Sequence, residues 1–163
     1  MPERWVVNAS PLIVLGKIGQ LDLLIKLPQQ IVIPSAVVSE IVAGPEGDAA
    51  RLAVQSQMFA IVDIPKIEPE LAAWDLGYGE TSVLAYALTH PDWTAIIDDG
   101  AARKCAKTFG IKMKGTLAVV IMAKKRGLIP SAARVLHSVQ EAGLHLDEGL
   151  IQAVLRQTVG EDW

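Results

Sequence analysis

Short apolar runs alternate with helix-like segments along most of this chain, and this alternation restricts the possible folds more than any other feature. Three runs of four to six residues have little polar content: RWVV at 4–7, QQIVIP at 29–34 and TAII at 94–97. FAIVDI at 59–64 is a weaker strand candidate. Such runs are typical of parallel strands that are buried on both faces. The pattern therefore predicts an α/β fold with a central parallel sheet between helices.

Apolar spacing and turn residues predict the helices between these runs. Asn8 or Ser10 could cap the first helix, with Pro11 in its first turn, and Gly77 and Gly79 are expected to break a long helical segment. The predicted helical segments are SPLIVLGKIG, LDLLIKL, SAVVSEIVAG, DAARLAVQSQ, two parts of IEPELAAWDLGYGETSVLAYALTH, GAARKCAKTFG, TLAVVIMAKKRG, PSAARVLHSVQEAG and DEGLIQAVLRQ.

The chain is long enough for one domain with a substantial core, since it has 163 residues, of which 51% are hydrophobic. We therefore expect a single domain over residues 1–163. The longest uninterrupted apolar stretch, 117–123, is far shorter than the ~20 residues of a membrane-spanning helix. The start of the chain also lacks the long apolar core of a signal peptide. These features predict a soluble, cytoplasmic protein.

Basic residues are concentrated in one segment, although the net charge of the chain is only −3. From Arg103 to Arg126 there are eight lysines and arginines and no acidic residue. This segment could bind a polyanion, since Lys and Arg neutralise phosphates and release counterions. A solvated helix face explains the same pattern, so the sequence leaves both interpretations open.

Two polar clusters lie where predicted strands end. Asn8 follows the first strand, and Asp98 with Asp99 follows the run at 94–97. Ligands of open α/β sheets bind beyond the carboxyl ends of the strands, so these residues are expected at one rim. Adjacent carboxylates repel each other unless a cation lies between them, and hard divalent cations prefer such oxygen ligands. Asp99 alone is also explained as the cap of the helix that starts at Gly100.

Glu40 and Glu80 are further candidates for the same rim. Glu80 falls in the first turn of a predicted helix, where a glutamate is stabilised without any function. Glu40 lies between apolar residues at the border of a buried surface, and an exposed position at the rim explains it as well. Spacing alone does not show whether these groups come together.

Other motifs give weaker signals. GYGETS imitates part of a dinucleotide-binding fingerprint, but it lacks the third glycine and follows a helical pattern. His90, His137 and His145 are scattered along the chain and are better explained as surface or packing residues than as a catalytic set. Cys105 is the only cysteine, and we expect a buried, inert thiol. None of these features indicates a second site.

Five sequence blocks occur in order along the first 130 residues: VVNASPLIVLGKIGQLDLL, IVIPSAVVSEI, GYGETSVLAYAL, IIDDGAARKCAKTFGI and KGTLAVVIMAKKRGLIP. Together they resemble the PIN-domain-like superfamily, in the branch of small prokaryotic proteins of unknown function. The resemblance covers residues 5–130, and the C-terminal helices at 131–158 follow it. It implies a three-layer α/β/α sandwich with a central parallel sheet and a carboxylate cluster that binds Mg²⁺ or Mn²⁺.

The resemblance also implies a function and a set of site residues. Many relatives are ribonucleases, often the toxins of toxin–antitoxin pairs, so the implied chemistry is metal-assisted hydrolysis of RNA, with an antitoxin protein as a second partner. A homodimer is plausible for this fold. The family's acidic positions fall at Asn8, Glu40, Glu80 and the Asp98–Asp99 pair, without deciding which of the last two faces the metal. The residues implied to hold the RNA backbone are Arg103, Lys104, Lys107, Lys112 and Lys114.

This chain departs from the family pattern at its first acidic position. The family has an aspartate there, whereas Asn8 offers a neutral carbonyl oxygen and no charge. Cation affinity depends on ligand charge, so the site is expected to be weakened. Two hypotheses follow: a nuclease with a weakened site, or a PIN-like protein that binds RNA or a protein partner without cleaving it.

Overall fold

The computed structural model describes residues 2–163, and it confirms the predicted α/β architecture. The strands are β1 (Arg4–Val7), β2 (Gln30–Pro34), β3 (Ala60–Val62), β4 (Thr94–Ile96) and β5 (Met113–Lys114). All of them are parallel, and they form one sheet in the order β3-β2-β1-β4-β5. Helices flank this sheet.

Within residues 2–163 two helices connect each strand to the next, except between β4 and β5, which a single helix connects. The helices are α1 (Ala9–Lys17), α2 (Asp22–Lys26), α3 (Ser35–Val42), α4 (Ala49–Gln55), α5 (Pro69–Ala72), α6 (Tyr78–Thr89), α7 (Gly100–Thr108), α8 (Thr116–Lys125), α9 (Ala132–Glu141) and α10 (Glu148–Thr158).

The structure differs from the sequence prediction in three details. Gly79 lies inside α6 and does not break it, because α6 begins at Tyr78. Asn8 occupies the N-cap position of α1, but its side chain makes no capping hydrogen bond. β5 was not predicted, since a two-residue strand that contains a lysine has no apolar run to mark it.

β1 lies at the centre of the sheet, between β2 and β4. Trp5, Val6 and Val7 are fully buried, because both faces and both edges of this strand are covered. We therefore attribute the largely apolar RWVV run to this central position. A strand that is buried on both faces has no solvent-exposed face for polar side chains, so its residues do not alternate between polar and apolar.

The carboxyl ends of β1 and β4 meet at one edge of the sheet. Val7 aligns with Ile96 in the register, and the backbone N–H of Asn8 donates to the carbonyl of Ile96 over 3.1 Å. The residues that follow both strands therefore emerge side by side, as the predicted shared rim requires. α6 contacts β1, β2 and β4 and brings its first turn to the same region.

Contacts with α9 hold the C-terminal residues in place. The carboxylate of Glu161 accepts hydrogen bonds from the Ser131 hydroxyl (2.8 Å) and from the backbone N–H groups of Ala132 (2.9 Å) and Ala133 (3.1 Å). The Trp163 ring stacks on His137 with centroids 3.7 Å apart. These contacts stabilise the start of α9, because Glu161 satisfies amides that the helix itself leaves free.

Two further expectations concern the membrane and the thiol. No helix within residues 2–163 is long and apolar enough to span a membrane. Cys105 is fully buried, as expected, and burial raises the pKa of its thiol. The thiol is therefore protonated and a poor nucleophile at neutral pH.

Candidate active site

A cleft of about 360 Å³ lies at the carboxyl edge of the sheet. Asn8, Glu40 and Glu80 line it together, although they come from the end of β1, from α3 and from the first turn of α6. Residues of α1, including Lys17, and the segment 142–144 form the rest of its wall. The fold therefore assembles three of the predicted positions from distant parts of the chain.

Asn8 is the most buried polar residue of this cleft, with 4% of its surface exposed. Its side-chain oxygen Oδ1 is buried and has no hydrogen-bond partner within residues 2–163. A buried polar atom without a partner costs about 1–3 kcal/mol. Such an oxygen is a natural ligand for a cation or an acceptor for a bound water, because either one would remove this cost.

Glu40 is held in position by a residue of α6. Its Oε1 accepts a hydrogen bond of 2.9 Å from the backbone N–H of Gly79. This contact needs a glycine, because a Cβ at position 79 would lie only 2.9 Å from the Glu40 Cδ and still closer to Oε1. Gly79 thus positions the Glu40 carboxylate by letting the backbone approach it.

We predict that Gly79→Ala disturbs the site more than the fold. The added methyl group displaces the Glu40 carboxylate, while the gain in helix propensity of up to about 1 kcal/mol offsets part of the lost hydrogen bond. Mn²⁺ affinity, measured by calorimetry, is expected to fall about tenfold, because a cation site depends on the placement of its charged ligands.

Gly77→Ala is the matched control for this change. A Cβ at position 77 has its nearest neighbour, Glu80 Oε1, at 3.9 Å, which is an ordinary contact. Equal Mn²⁺ affinities for the Gly77 and Gly79 variants would refute a positioning role for Gly79.

Glu80 shares its environment with two other carboxylates. Burial raises the pKa of Glu80 above its ordinary value, and the negative charges of Asp99 and Glu40 raise it further. The charges of Asp99 and Glu40 each act on Glu80. Glu80 is therefore electrostatically coupled to both carboxylates.

This raised pKa predicts a pH-dependent effect of Glu80→Gln on stability. The folded protein retains the Glu80 proton up to a higher pH than the unfolded chain does. The free energy of unfolding therefore falls as the pH rises from about 4.5, the ordinary pKa of a glutamate, through the raised pKa of the folded state. Glu80→Gln removes this loss and is expected to stabilise the protein at pH 7 by about 0.5 kcal/mol after solvent screening, but not at pH 3.

Urea unfolding at both pH values measures this difference, with the exposed Glu46→Gln as the control for the change to an amide. A stabilisation that is the same at pH 3 and pH 7 would contradict the electrostatic origin.

The adjacent aspartates Asp98 and Asp99 have different surroundings. Asp99 caps α7, and its Oδ2 accepts a hydrogen bond of 3.0 Å from the Ala102 N–H. Asp98 is bound at both oxygens by Thr116, through the backbone N–H (2.7 Å) and the hydroxyl (2.7 Å). The cap predicted for Asp99 is therefore present, and it is the charge of Asp99, rather than that of Asp98, that raises the pKa of Glu80.

Asp98 also lines a second cavity, an apolar groove of about 400 Å³ between α8 and α10. Burial raises its pKa, whereas the two hydrogen bonds from Thr116 and the nearby charge of Arg103 lower it and offset only part of this effect. The sequence prediction grouped Asp98 and Asp99 with Glu40 and Glu80, but neither aspartate is among the residues that line the cleft of Glu40 and Glu80. Asp98 lines the apolar groove instead.

The comparison with known families now adds to this geometry. The model of a PIN-domain family matches residues 4–160, which is nearly the whole chain. The chain belongs to the PIN-domain family. No curated protein matches it significantly. The match extends the resemblance seen at 5–130 through the C-terminal helices. PIN domains are generally nucleases and typically use divalent metal ions.

The donors of this PIN domain suit such an ion in type but are not arranged as a complete cluster. Asn8, Glu40, Glu80 and Asp99 offer only oxygen atoms, which Mg²⁺ and Mn²⁺ prefer. However, within residues 2–163 no three His, Cys, Asp or Glu side chains are close enough together to hold a metal. The unpaired Oδ1 of Asn8 supports the binding of a metal ion at this site. The carboxylates are spread apart, so they would have to move closer together to coordinate a bound ion.

The basic residues of the PIN domain are divided between different surfaces. Arg103 lies beside Asp98 and donates to the carbonyl of Ile97 over 3.1 Å. Lys104 and Lys107 are exposed on α7. The last two predicted RNA-binding residues, Lys112 and Lys114, line a cleft at the opposite, amino edge of the sheet.

Sequence reasoning missed three residues that shape the site. Thr116 binds Asp98 from 18 positions away, Gly79 supports Glu40 from 39 positions away, and Lys17 lines the cleft from the end of α1. All three lie in the sequence blocks that carry the family resemblance, but nothing in those blocks marks their roles, because each role depends on a contact that the fold creates.

Proposed function

We propose that this PIN domain is a metal-dependent ribonuclease that hydrolyses phosphodiester bonds. The proposal rests mainly on one observation: the buried, unpaired oxygen of Asn8 lies in the wall of a cleft that Glu40 and Glu80 also line. This cleft lies at the carboxyl edge of a parallel sheet, where open α/β folds bind their ligands.

The side chains at this site suggest separate roles in metal binding, in ligand orientation and in RNA binding. Asn8, Glu40, Glu80 and Asp99 would hold Mg²⁺ or Mn²⁺, which supplies an activated water and offsets charge on the leaving oxygen. Gly79 orients Glu40, and the α7 cap leaves Oδ1 of Asp99 without a capping bond. Lys17 in the cleft wall is placed to contact a phosphate of the RNA.

The proposal includes the biological setting implied by the family resemblance. A toxin ribonuclease acts in the cytoplasm, is inhibited by an antitoxin protein and commonly acts as a homodimer. The apolar groove beside Asp98 and the exposed Leu150 on α10 support a protein partner, because monomeric proteins rarely expose connected apolar surface.

The cleavage of labelled single-stranded RNA tests this function. We expect cleavage with Mn²⁺ or Mg²⁺, none with EDTA, and none from a matched preparation in which both Asp98 and Asp99 are replaced by Asn. Equal cleavage by the two preparations would identify a contaminating nuclease and reject the proposed site.

A second candidate function is binding of RNA or a protein partner without cleavage. The neutral Asn8 and the spread of the acidic residues favour it, because both weaken the attraction for a divalent cation. RNA binding without metal-dependent cleavage would establish this alternative.

Asn8→Asp distinguishes a weakened metal site from no metal site. The new carboxylate adds a negative charge beside Glu40 and Glu80, so Mn²⁺ affinity is expected to rise about tenfold, while the metal-free protein loses stability through repulsion. Calorimetry with Mn²⁺ and thermal melting in EDTA measure the two effects. Identical Mn²⁺ binding by both proteins would show that Asn8 is not a metal ligand.

A further inference from the structure

A second polar cleft, of about 320 Å³, lies at the amino edge of the sheet, at the opposite end of the strands from the candidate active site. Arg4 opens β1, Thr94 opens β4, and Lys112 precedes β5. These three strands are neighbours in the sheet, so the three side chains lie along one edge. The other residues of its wall are Pro2, Glu3, Asp92 and Lys114.

The side chains of Arg4, Thr94 and Lys112 make no hydrogen bonds within residues 2–163. The Nε of Arg4 is buried without a partner. The Arg4 guanidinium forms a long ion pair with Asp92, with 3.9 Å between Nη1 and Oδ2, which is beyond hydrogen-bond distance. Neither the Thr94 hydroxyl nor the Lys112 ammonium group has a hydrogen-bond or ion-pair partner in this part of the chain.

The carboxylates of the cleft do not compensate for these free donors. Both oxygens of Glu3 are engaged, one by the indole N–H of Trp5 (2.9 Å) and the other by Lys114 (3.2 Å). Burial opposes the ionisation of Glu3, but these contacts lower its pKa overall, so it is ionised and already paired at neutral pH. Asp92 is 79% exposed, so its charge is screened by water.

We propose that this cleft is a phosphate-binding site, separate from the carboxylate site. A phosphate group carries several strong acceptor oxygens and negative charge, and it would satisfy an arginine, a lysine and a hydroxyl at once. A hydrophobic or cationic ligand would leave these donors unpaired. The phosphate can come from an RNA chain or from a free phosphate ion, and both present the same chemistry to the cleft.

Nuclear magnetic resonance of the labelled protein tests this proposal. Inorganic phosphate and a short oligoribonucleotide without a terminal phosphate are titrated separately, and backbone amide shifts are followed. The shifts are expected to concentrate at 92–94 and 112–114.

Lys112→Met is expected to weaken phosphate binding about tenfold, since a lost charge-assisted hydrogen bond is worth about 1.5 kcal/mol. Lys125→Met, on the exposed end of α8, is the matched control.

The two titrations separate the two sources of phosphate. Shifts with inorganic phosphate assign the site to a free or terminal phosphate, and shifts with the oligoribonucleotide alone assign it to the RNA backbone. The proposal is overturned if neither probe shifts these amides, or if Lys112→Met and Lys125→Met bind equally. The Asp98→Asn, Asp99→Asn protein is expected to bind phosphate normally here, so a failure of the proposed ribonuclease function would leave this result intact.

Discussion

Replacing both Asp98 and Asp99 by Asn is expected to reduce Mn²⁺-dependent RNA cleavage by about a thousandfold or more, because metal-assisted hydrolysis depends on the charge of these carboxylates. The fold should survive the change. An asparagine caps a helix about as well as an aspartate, so α7 keeps its cap, and an amide at position 98 can still accept a hydrogen bond from Thr116. Initial cleavage rates and thermal melting of the two proteins measure both expectations.

The single substitutions show which aspartate acts at the site. Asp99 is electrostatically coupled to Glu80, whereas Asp98 faces Thr116 and a different cavity. We therefore expect Asp99→Asn to lose more activity than Asp98→Asn. A larger loss from Asp98→Asn would mean that its carboxylate turns away from Thr116 when a metal binds.

Thr116→Val is expected to lower the free energy of unfolding by about 2–3 kcal/mol. Thr116 is fully buried and its hydroxyl donates to Asp98 over 2.7 Å. Valine keeps the shape of the side chain but removes a hydrogen bond to a charged group, and such bonds contribute about 1.5–3 kcal/mol. Urea unfolding at pH 7 measures the change.

Thr108→Val provides the control for this substitution. The Thr108 hydroxyl is exposed and bonds only to the carbonyl of Lys104 in its own helix, so its loss is expected to cost below about 0.5 kcal/mol. If both valine variants are equally stable, Asp98 does not depend on Thr116. The double variant Asp98→Asn, Thr116→Val isolates the pair, because the effects of two contacting residues are not additive.

Local sequence patterns were sufficient for most of the fold. The runs at 4–7, 29–34 and 94–97 were recognisable because buried parallel strands are apolar throughout, and even the weak candidate at 59–64 proved to be the edge strand β3. β5 escaped detection, since its two residues pair with β4 through backbone hydrogen bonds, which any side chain permits.

The candidate site was only partly predictable. The residues that follow β1 and β4 could be assigned to one rim, because the carboxyl ends of parallel strands meet at one edge. The different surroundings of Asp98 and Asp99 were not predictable, because neighbouring residues can have different hydrogen-bond partners: Thr116 binds Asp98, whereas Asp99 caps its own helix. The basic segment likewise looks like one cluster in the sequence, but α7 returns the chain from the carboxyl edge to the amino edge of the sheet, so Lys112 lies at the other end.

The sequence by itself determined the α/β class, the family and the residue types available at the rim, because these follow from local apolar periodicity and from the order of short blocks. Tertiary structure alone decided which oxygens are paired and which are free. Thr116 binds Asp98, Gly79 binds Glu40, and Asn8 Oδ1 has no partner within residues 2–163. Each of these states depends on contacts between segments far apart in the chain, and local propensity carries no information about such contacts.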